Sequence, residues 1–535
     1  MKHKAAAAVL LLVVLLLTAA PMVSAHATLE QTVPAANAEL KESPPKVELT
    51  FNEAIEQGVS SVEVLDSQSR KVTSVKAELN ANRTVLQLPL PELDDGVYTV
   101  AYRIVSEDGH PVSGSYVFVL GNPPEWKDAS TFLTNTSSSS SSELHAGDWL
   151  LYIVRFIYYG ALLLATGVMT WSVLFRRQAS ESINKVFRQL TLISMRALLL
   201  SVLVLVFAQA REIMLGQPAS AWGDLFLGTA TGRAWAELII LSLLGFVVQK
   251  GGRYVQLLWV ILLLAVESLI GHPAANDPKL LTIAFDWVHL AAAALWAGGL
   301  VVLVMIWFTD RKEAGRFGTS FSQGALLSLA ALVVSGVGMT LLFLPKLSYL
   351  WLTSWGVLLV VKTALVVFVL VTGALLRIRI RRSGMPHGKL LGVDAAFMVL
   401  IVIIAAVFTY ISPLPANAPY HLHEMGKDMH TTFDVTPNVP GSDNTFTLQI
   451  WLPEETGAPK SVVLRLSTDD REDAPIDVPL EIFDDQSYDT FEGFVRTSYQ
   501  ATGPYLPYAG KWKAEIRVMT QDDYEKLKEL TFENY

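Results

Sequence analysis

"FDWVHLAAAALWAGGL", residues 285–300, decides what kind of molecule this is. An aspartate and a histidine stand three apart near its start, and a small, apolar run follows. Extended over 282–308, the stretch exceeds the roughly 20 apolar residues that a helix needs to cross a bilayer. On a helix, Asp286 and His289 share one face, a turn or two inside the end of the span. An ionisable residue at the centre of such a helix costs about 2.5–3.5 kcal/mol on insertion scales, so each one calls for a reason.

Comparable runs recur on both sides. The sequence predicts eight spans, at roughly 149–175, 188–210, 231–249, 254–271, 282–308, 322–344, 350–376 and 392–412. Composition agrees, with 51% hydrophobic and only 17% charged residues. Alternate loops hold the basic residues: Arg176, Arg177, Lys185 and Arg188, then Lys250 and Arg253, then Arg311, Lys312 and Arg316, then Arg377, Arg379, Arg381, Arg382 and Lys389. The opposite loops hold Arg211, Arg233, Lys279 and Lys346. By the positive-inside rule the first set is cytoplasmic.

Residues 1–25 read as a signal peptide, with Lys2 and Lys4, an apolar run from Ala5 to Ala20, and Val23 and Ala25 before the cut. The segment that follows is therefore expected outside the cell. Eight crossings return the chain to the side on which it started, so residues 413–535 are expected outside too.

The 535 residues include no cysteine. Disulfides, iron–sulfur clusters and thiolate metal sites are excluded, which leaves His, Met and carboxylates for any metal. A net charge of −9 argues against a nucleic-acid partner. The sequence has no phosphate-binding glycine loop of the Walker type, which argues against ATP-driven transport by this chain alone.

Residues 26–122 alternate as strands do ("KVELTF", "SVEVLD", "TVLQLPL", "VYTVAYRIV", "GSYVFVL") between Pro, Gly, Asn and Asp clusters, and predict a small β-sandwich or barrel. Residues 123–145 are a serine-rich linker, 146–412 the membrane domain, and 413–535 a second β-sandwich ("TFTLQIWLP", "SVVLRLS", "VPLEIF", "KWKAEIRVM").

Of the ten histidines, all but His3 and His387 fall outside the membrane or in its outer half. Cleavage after Ala25 would make His26 the first residue, offering its α-amine and its ring Nδ1 to one metal. In "SEDGHPVSG", Asp108 and His110 lie two apart in a turn. Together these give three nitrogens and one carboxylate oxygen, a set suited to Cu(II). The plain alternative is an ordinary polar hairpin, since Asp-Gly is a common turn dipeptide.

The stretches "HATLEQTVPAANAEL", "LTFNEAIE" and "SEDGHPVSGSYVFVLG" resemble the CopC family of periplasmic copper-binding proteins, an Ig-like β fold. The resemblance implies a Cu(II) site on His26, Asp108 and His110, with Glu53 aligned to a family carboxylate near it. A methionine-rich Cu(I) site has no counterpart here, because residues 26–122 hold no methionine.

"GHP…DWVHLAAAALWAGGL", with "SGVGMTLL" and "WGVLLVVKTAL", resembles the CopD family of integral-membrane copper proteins. It implies roles for His272 and His289, with Asp286 as a ligand or a support to one. Glu267, Arg155, Glu237 and Lys362 also lie in the outer half, so a polar mouth opening outward is expected; salt bridging and snorkelling are the alternative for the last three.

Just beyond the last span, "HLHEMGKDMH" carries His421, His423, Met425, Met429 and His430, donors for copper in either oxidation state. The alternative is a polar linker at the membrane surface. The domain behind it resembles the YtkA-type modules.

As a whole, the chain resembles bacterial CopC–CopD fusions of the YcnJ type. That implies capture of Cu(II) outside the cell and copper passage through the bundle, with Cu(I) open for the membrane and C-terminal sites. Import comes from the resemblance alone. A copper ion, the bilayer and an extracytoplasmic copper chaperone are the expected partners, and no enzymatic activity is expected. Two rivals stay open: sequestration or sensing with the bundle as anchor, and a copper monooxygenase-like enzyme, which shares the first-residue histidine.

Overall fold

In Lys46–Phe51 the side chains of Val47, Leu49 and Phe51 are buried while those between them are not. Period-two burial of this kind makes a strand with one face on a core, and it organises both ends of the chain. The computed structural model describes residues 27–121 except 28, 37, 57, 69, 108 and 110. It further describes 146–214, 221–411 except 345, then 413, 417, and 419–534 except 469–473, 484–490 and 492. The expected signal peptide, His26, Asp108, His110 and the serine-rich stretch 123–145 lie outside the described residues.

The N-terminal domain is a two-sheet sandwich. Its strands are β1 (Leu29–Val33), β2 (Glu39–Leu40), β3 (Lys46–Phe51), β4 (Ser61–Leu65), β5 (Glu78–Leu79), β6 (Val85–Pro89), β7 (Gly96–Val105) and β8 (Pro111–Leu120). One sheet runs β1-β3-β6-β5 and the other β2-β8-β7-β4. Val47, Leu49, Phe51, Val100, Ile104 and Phe118 fill the space between them. The ten-residue β7 and β8 pair from Gly96↔Leu120 to Val105↔Pro111, which sets Ser106, Glu107 and Gly109 at one end of the sandwich.

The centre is helical: α1 (Ala146–Leu174), α2 (Glu181–Met214), α3 (Ala230–Val248), α4 (Arg253–Glu267), α5 (Lys279–Thr309), α6 (Arg311–Phe343), α7 (Ser354–Ser383) and α8 (Gly388–Phe408). Seven of these are long and apolar enough to cross a membrane, which makes the chain a multi-pass membrane protein. The exception corrects the sequence expectation. The span expected at 254–271 is the 15-residue α4, followed by a turn and the four-residue helix His272–Ala275. At 1.5 Å per residue α4 covers about 22 Å, short of a bilayer's hydrocarbon core.

The Gly-Gly of the opening stretch is a packing device. A Cβ on Gly298 would come within 2.6 Å of the Gly167 backbone of α1. The indole of Trp171 donates to the Leu295 carbonyl at 2.7 Å, fixing the same contact. Small residues let membrane helices approach this closely where no hydrophobic force drives them together.

The C-terminal domain is again two packed sheets, built from β9 (Tyr420–Glu424), β10 (His430–Thr436), β11 (Asn444–Pro453), β12 (Ser461–Thr468), β13 (Ile476–Val478), β14 (Glu481–Ile482), β15 (Phe494–Gly503), β16 (Gly510–Met519) and β17 (Glu525–Asn534). Their orders are β14-β15-β11-β10-β9 and β13-β12-β16-β17. "HLHEMGKDMH" is thus not a linker but an antiparallel hairpin whose strands belong to the first sheet.

Candidate functional site

Residues 54–56 and 105–107 lie side by side at one end of the N-terminal sandwich. Ile55 bridges Ser106, the Glu56 amide donates to Val105 O at 2.6 Å, and the Glu107 amide donates to Ala54 O at 2.9 Å. Half-buried Glu53 is therefore on the segment next to the loop that carries Asp108 and His110.

That end of the sandwich rests on the helical bundle. Gly109 has a φ of +89°, which disfavours any side chain, and a Cβ there would come within 3.0 Å of Thr231 at the start of α3. Val105 joins the apolar cluster of the bundle with Leu205, Trp235 and Leu238. Glu56 Oε1 accepts from the backbone N–H groups of Ala230, at 3.1 Å, and Thr231, at 3.3 Å. Those are among the first amides of α3, which have no partner within the helix; the Thr229 side chain accepts from Gly232 in the same turn. Burial pushes the Glu56 carboxyl above the usual carboxylate range, opposed by the two N–H groups and the charge of Arg83. Lys279, first residue of α5, pairs with Glu107 at 2.7 Å, and Glu107 also holds Arg83.

Beneath Gly109 is a cavity of about 30 Å³ lined by Gly109, Thr231, Arg155, Tyr158, Tyr159 and Glu267. That is room for about one water or one small ion. Tyr158 donates to the Glu267 carboxylate, both side chains being buried. Arg155 donates to Thr409 O at 3.1 Å and lies 5.4 Å from the centre of the Tyr410 ring. Glu237 is exposed on α3 and does not line the cavity.

The membrane residues singled out in the sequence gather at this same end. His272 is buried and its Nε2 lies 3.0 Å from Ile411 O, an acceptor, so Nε2 carries the proton. Asp286 lies beside Ser268, whose hydroxyl donates to Leu264 O at 3.1 Å, and in the field of Lys362 and His272. His289 Nδ1 is 3.0 Å from Ser335 Oγ, whose own proton goes to Ala331 O at 2.6 Å. Ser335 therefore accepts from Nδ1–H, which leaves the lone pair of His289 on Nε2, the nitrogen a metal would take. Among the described residues, no three His, Asp or Glu side chains are close enough to enclose one ion.

The C-terminal donors divide. His421, His423 and His430 occupy one face of the β9–β10 hairpin. His421 Nδ1 meets Asp434 at 2.5 Å, and His423 Nδ1 meets Thr432 at 2.7 Å. The His423 and His430 rings both pack on Phe491, at 5.7 and 4.6 Å between centroids. Met429 packs against the sandwich core, whereas Met425 is exposed.

Sequence reasoning missed Glu56, Glu107, Tyr158 and Tyr159. The first two act across a domain boundary that no local pattern marks. The tyrosines carried a usable signal, because Tyr158 and Tyr159 follow Arg155 by three and four residues and so share its helix face.

The CopC domain family matches residues 29–121, the N-terminal domain of copper resistance protein D-like proteins matches 146–281, and copper resistance protein D matches 315–410. The copper transport protein CutJ of Bacillus subtilis (strain 168) is 27% identical over 531 residues, 93% of this chain and 94% of its own. Protein YobA of Escherichia coli (strain K12) is 36% identical over 100 residues, 18% of this chain and 81% of its own. The crystal structure of CopC from Methylosinus trichosporium OB3b is 35% identical, covering 18% of this chain and 99% of that one with a TM-score of 0.18. One polypeptide therefore carries a CopC domain and copper resistance protein D-type domains, and it is similar over nearly its whole length to the CutJ copper transport protein.

Proposed function

We propose that this protein takes up copper: the N-terminal domain captures Cu(II) outside the cell through His26, Asp108 and His110, with Glu53 beside them, and the bundle passes copper inward. One observation carries the reading. Gly109, flanked in the chain by Asp108 and His110, lies against Thr231 and lines the cavity that Tyr158 and Glu267 form at the bundle's end. A metal leaving that loop meets oxygen donors first, and the imidazoles of His272 and His289 with Asp286 belong to the same polar end of the bundle. Imidazole and carboxylate suit Cu(II), and imidazole also serves Cu(I).

In this reading α4, though short, still carries the chain from Arg253 to the end of the bundle where Glu267 meets Tyr158, so both β domains are extracytoplasmic, in agreement with the basic residues of the opposite loops. The C-terminal hairpin adds a binding face of His421, His423 and exposed Met425, with buried His430 and core-packed Met429 beside them, that an extracytoplasmic copper chaperone would meet. The role is transport, with no catalytic step assigned. The family names also admit copper resistance, so direction needs its own test. Copper content of growing cells with and without the intact chain supplies it: import raises the content, and sequestration or export leaves cytoplasmic copper unchanged or lower.

A further inference from the structure

We propose that Glu56 and Glu107 are positioning residues that hold the capture domain, with Gly109, over the bundle's cavity, so that copper crosses from capture domain to bundle without release to solvent. This rests on the transport reading above. Neither residue belongs to the proposed ligand set, yet both sit on the two segments that carry it, and both reach out of their own domain.

Glu56 is 3% exposed and satisfies two helix-terminal amides, those of Ala230 and Thr231. A carboxylate at a helix N-terminus gains from the axial dipole as well as from its hydrogen bonds. Glu107 meets the Lys279 ammonium on a different helix at 2.7 Å. Contacts to α3 and to α5 fix orientation as well as position, which a single contact does not. Gly109 follows Glu107 by two residues, and its missing side chain allows the close approach to Thr231.

The serine-rich linker alone would hold the domain nearby, with an effective concentration in the millimolar range. It would not aim the loop. Two charged contacts do aim it, and their polar character leaves them reversible, so the domain can lift to load.

The test uses the full chain in lipid. Hydrogen exchange at Ala230 and Thr231 reads the clamp directly, and initial copper-64 uptake as a function of copper concentration reads its consequence. In Glu56→Ala and Lys279→Glu, exchange at these amides is expected to quicken about tenfold. Half-saturating copper should rise several-fold while the plateau holds and the Cu(II) EPR signal of the capture domain is unchanged. Lys279→Arg keeps the charge and should behave as the parent.

Unchanged exchange in both disruptive variants overturns the clamp. Faster exchange with an unshifted uptake curve overturns its role in transfer. A parent chain that accumulates no copper overturns the transport reading instead, and exchange then still decides whether the clamp exists.

Discussion

The two β domains share a plan of paired sheets but use their polar side chains in opposite ways. The N-terminal domain turns Glu56 and Glu107 outward onto the helices, and its loop glycine lies against Thr231. The C-terminal domain keeps the contacts of its three histidines at home. His421 bonds Asp434, His423 bonds Thr432, and His430 packs on Phe491 and Phe494, all inside one sandwich. Richness in histidine is therefore a poor guide to which β domain meets the bundle. Strand register commits three C-terminal imidazoles to one sheet face, whereas a loop with a single histidine sits at the mouth of the bundle.

The sharpest way to break this contrast is to add one residue ahead of His26. The α-amine then moves away from the ring, and Cu(II) affinity should fall by more than the ~10–100-fold typical of changes outside a ligand set. Competition with a chelator measures it, and an unchanged affinity would remove the amine from the site. His289→Ala should come next in effect, bringing copper-64 uptake to background while sparing the Cu(II) EPR signal. Normal uptake would reduce that residue to a hydrogen-bonded packing role.

A purely structural change sharpens the comparison from the bundle's side. Gly298→Ala drives a methyl into the Gly167 backbone, and overpacking of this kind costs about 1–3 kcal/mol. Thermal unfolding in detergent should show the loss without any change in Cu(II) capture. Replacing His421, His423 and His430 together by Ala should lower copper stoichiometry but leave the affinity of the first site intact.

The smallest effect expected is a pH effect. Burial opposes charge on His421, and the Asp434 carboxylate, bonded and adjacent, outweighs it, holding the ring's pKa above its ordinary value. The resulting stabilisation is fully present below the unfolded histidine's pKa of about 6.5 and is lost as pH rises through the raised folded value. Asp434→Asn should lower that pKa in an NMR titration. Its cost in stability is slight because both side chains are partly exposed.

Much of this plan is legible in the sequence. Apolar run length marks the long helices, and alternation marks β3, β7, β8, β11, β12 and β16. It failed at α4, where a hydrophobic run through 254–271 hides a helix that ends at Glu267, ahead of the turn that holds His272. At 421–430 the polar composition left a donor cluster and a surface linker both open, and the hairpin shows only through Leu422 and Phe433, which pack inward. Of the candidate site, the ionisable membrane residues stood out because each violates the cost of burial in lipid. The docking residues did not. Glu56 looks like any surface glutamate until the amides of a helix 174 residues away in the chain meet it.

Hand-over between the two domains is the claim on which the account turns, and a protected-copper assay tests it most directly. Copper-64 is bound to the intact chain on spheroplasts, free metal is removed, and an impermeant chelator is added at intervals. The account predicts a growing chelator-resistant pool inside the cell that is absent when a residue precedes His26. Copper that stays wholly within the chelator's reach would contradict it.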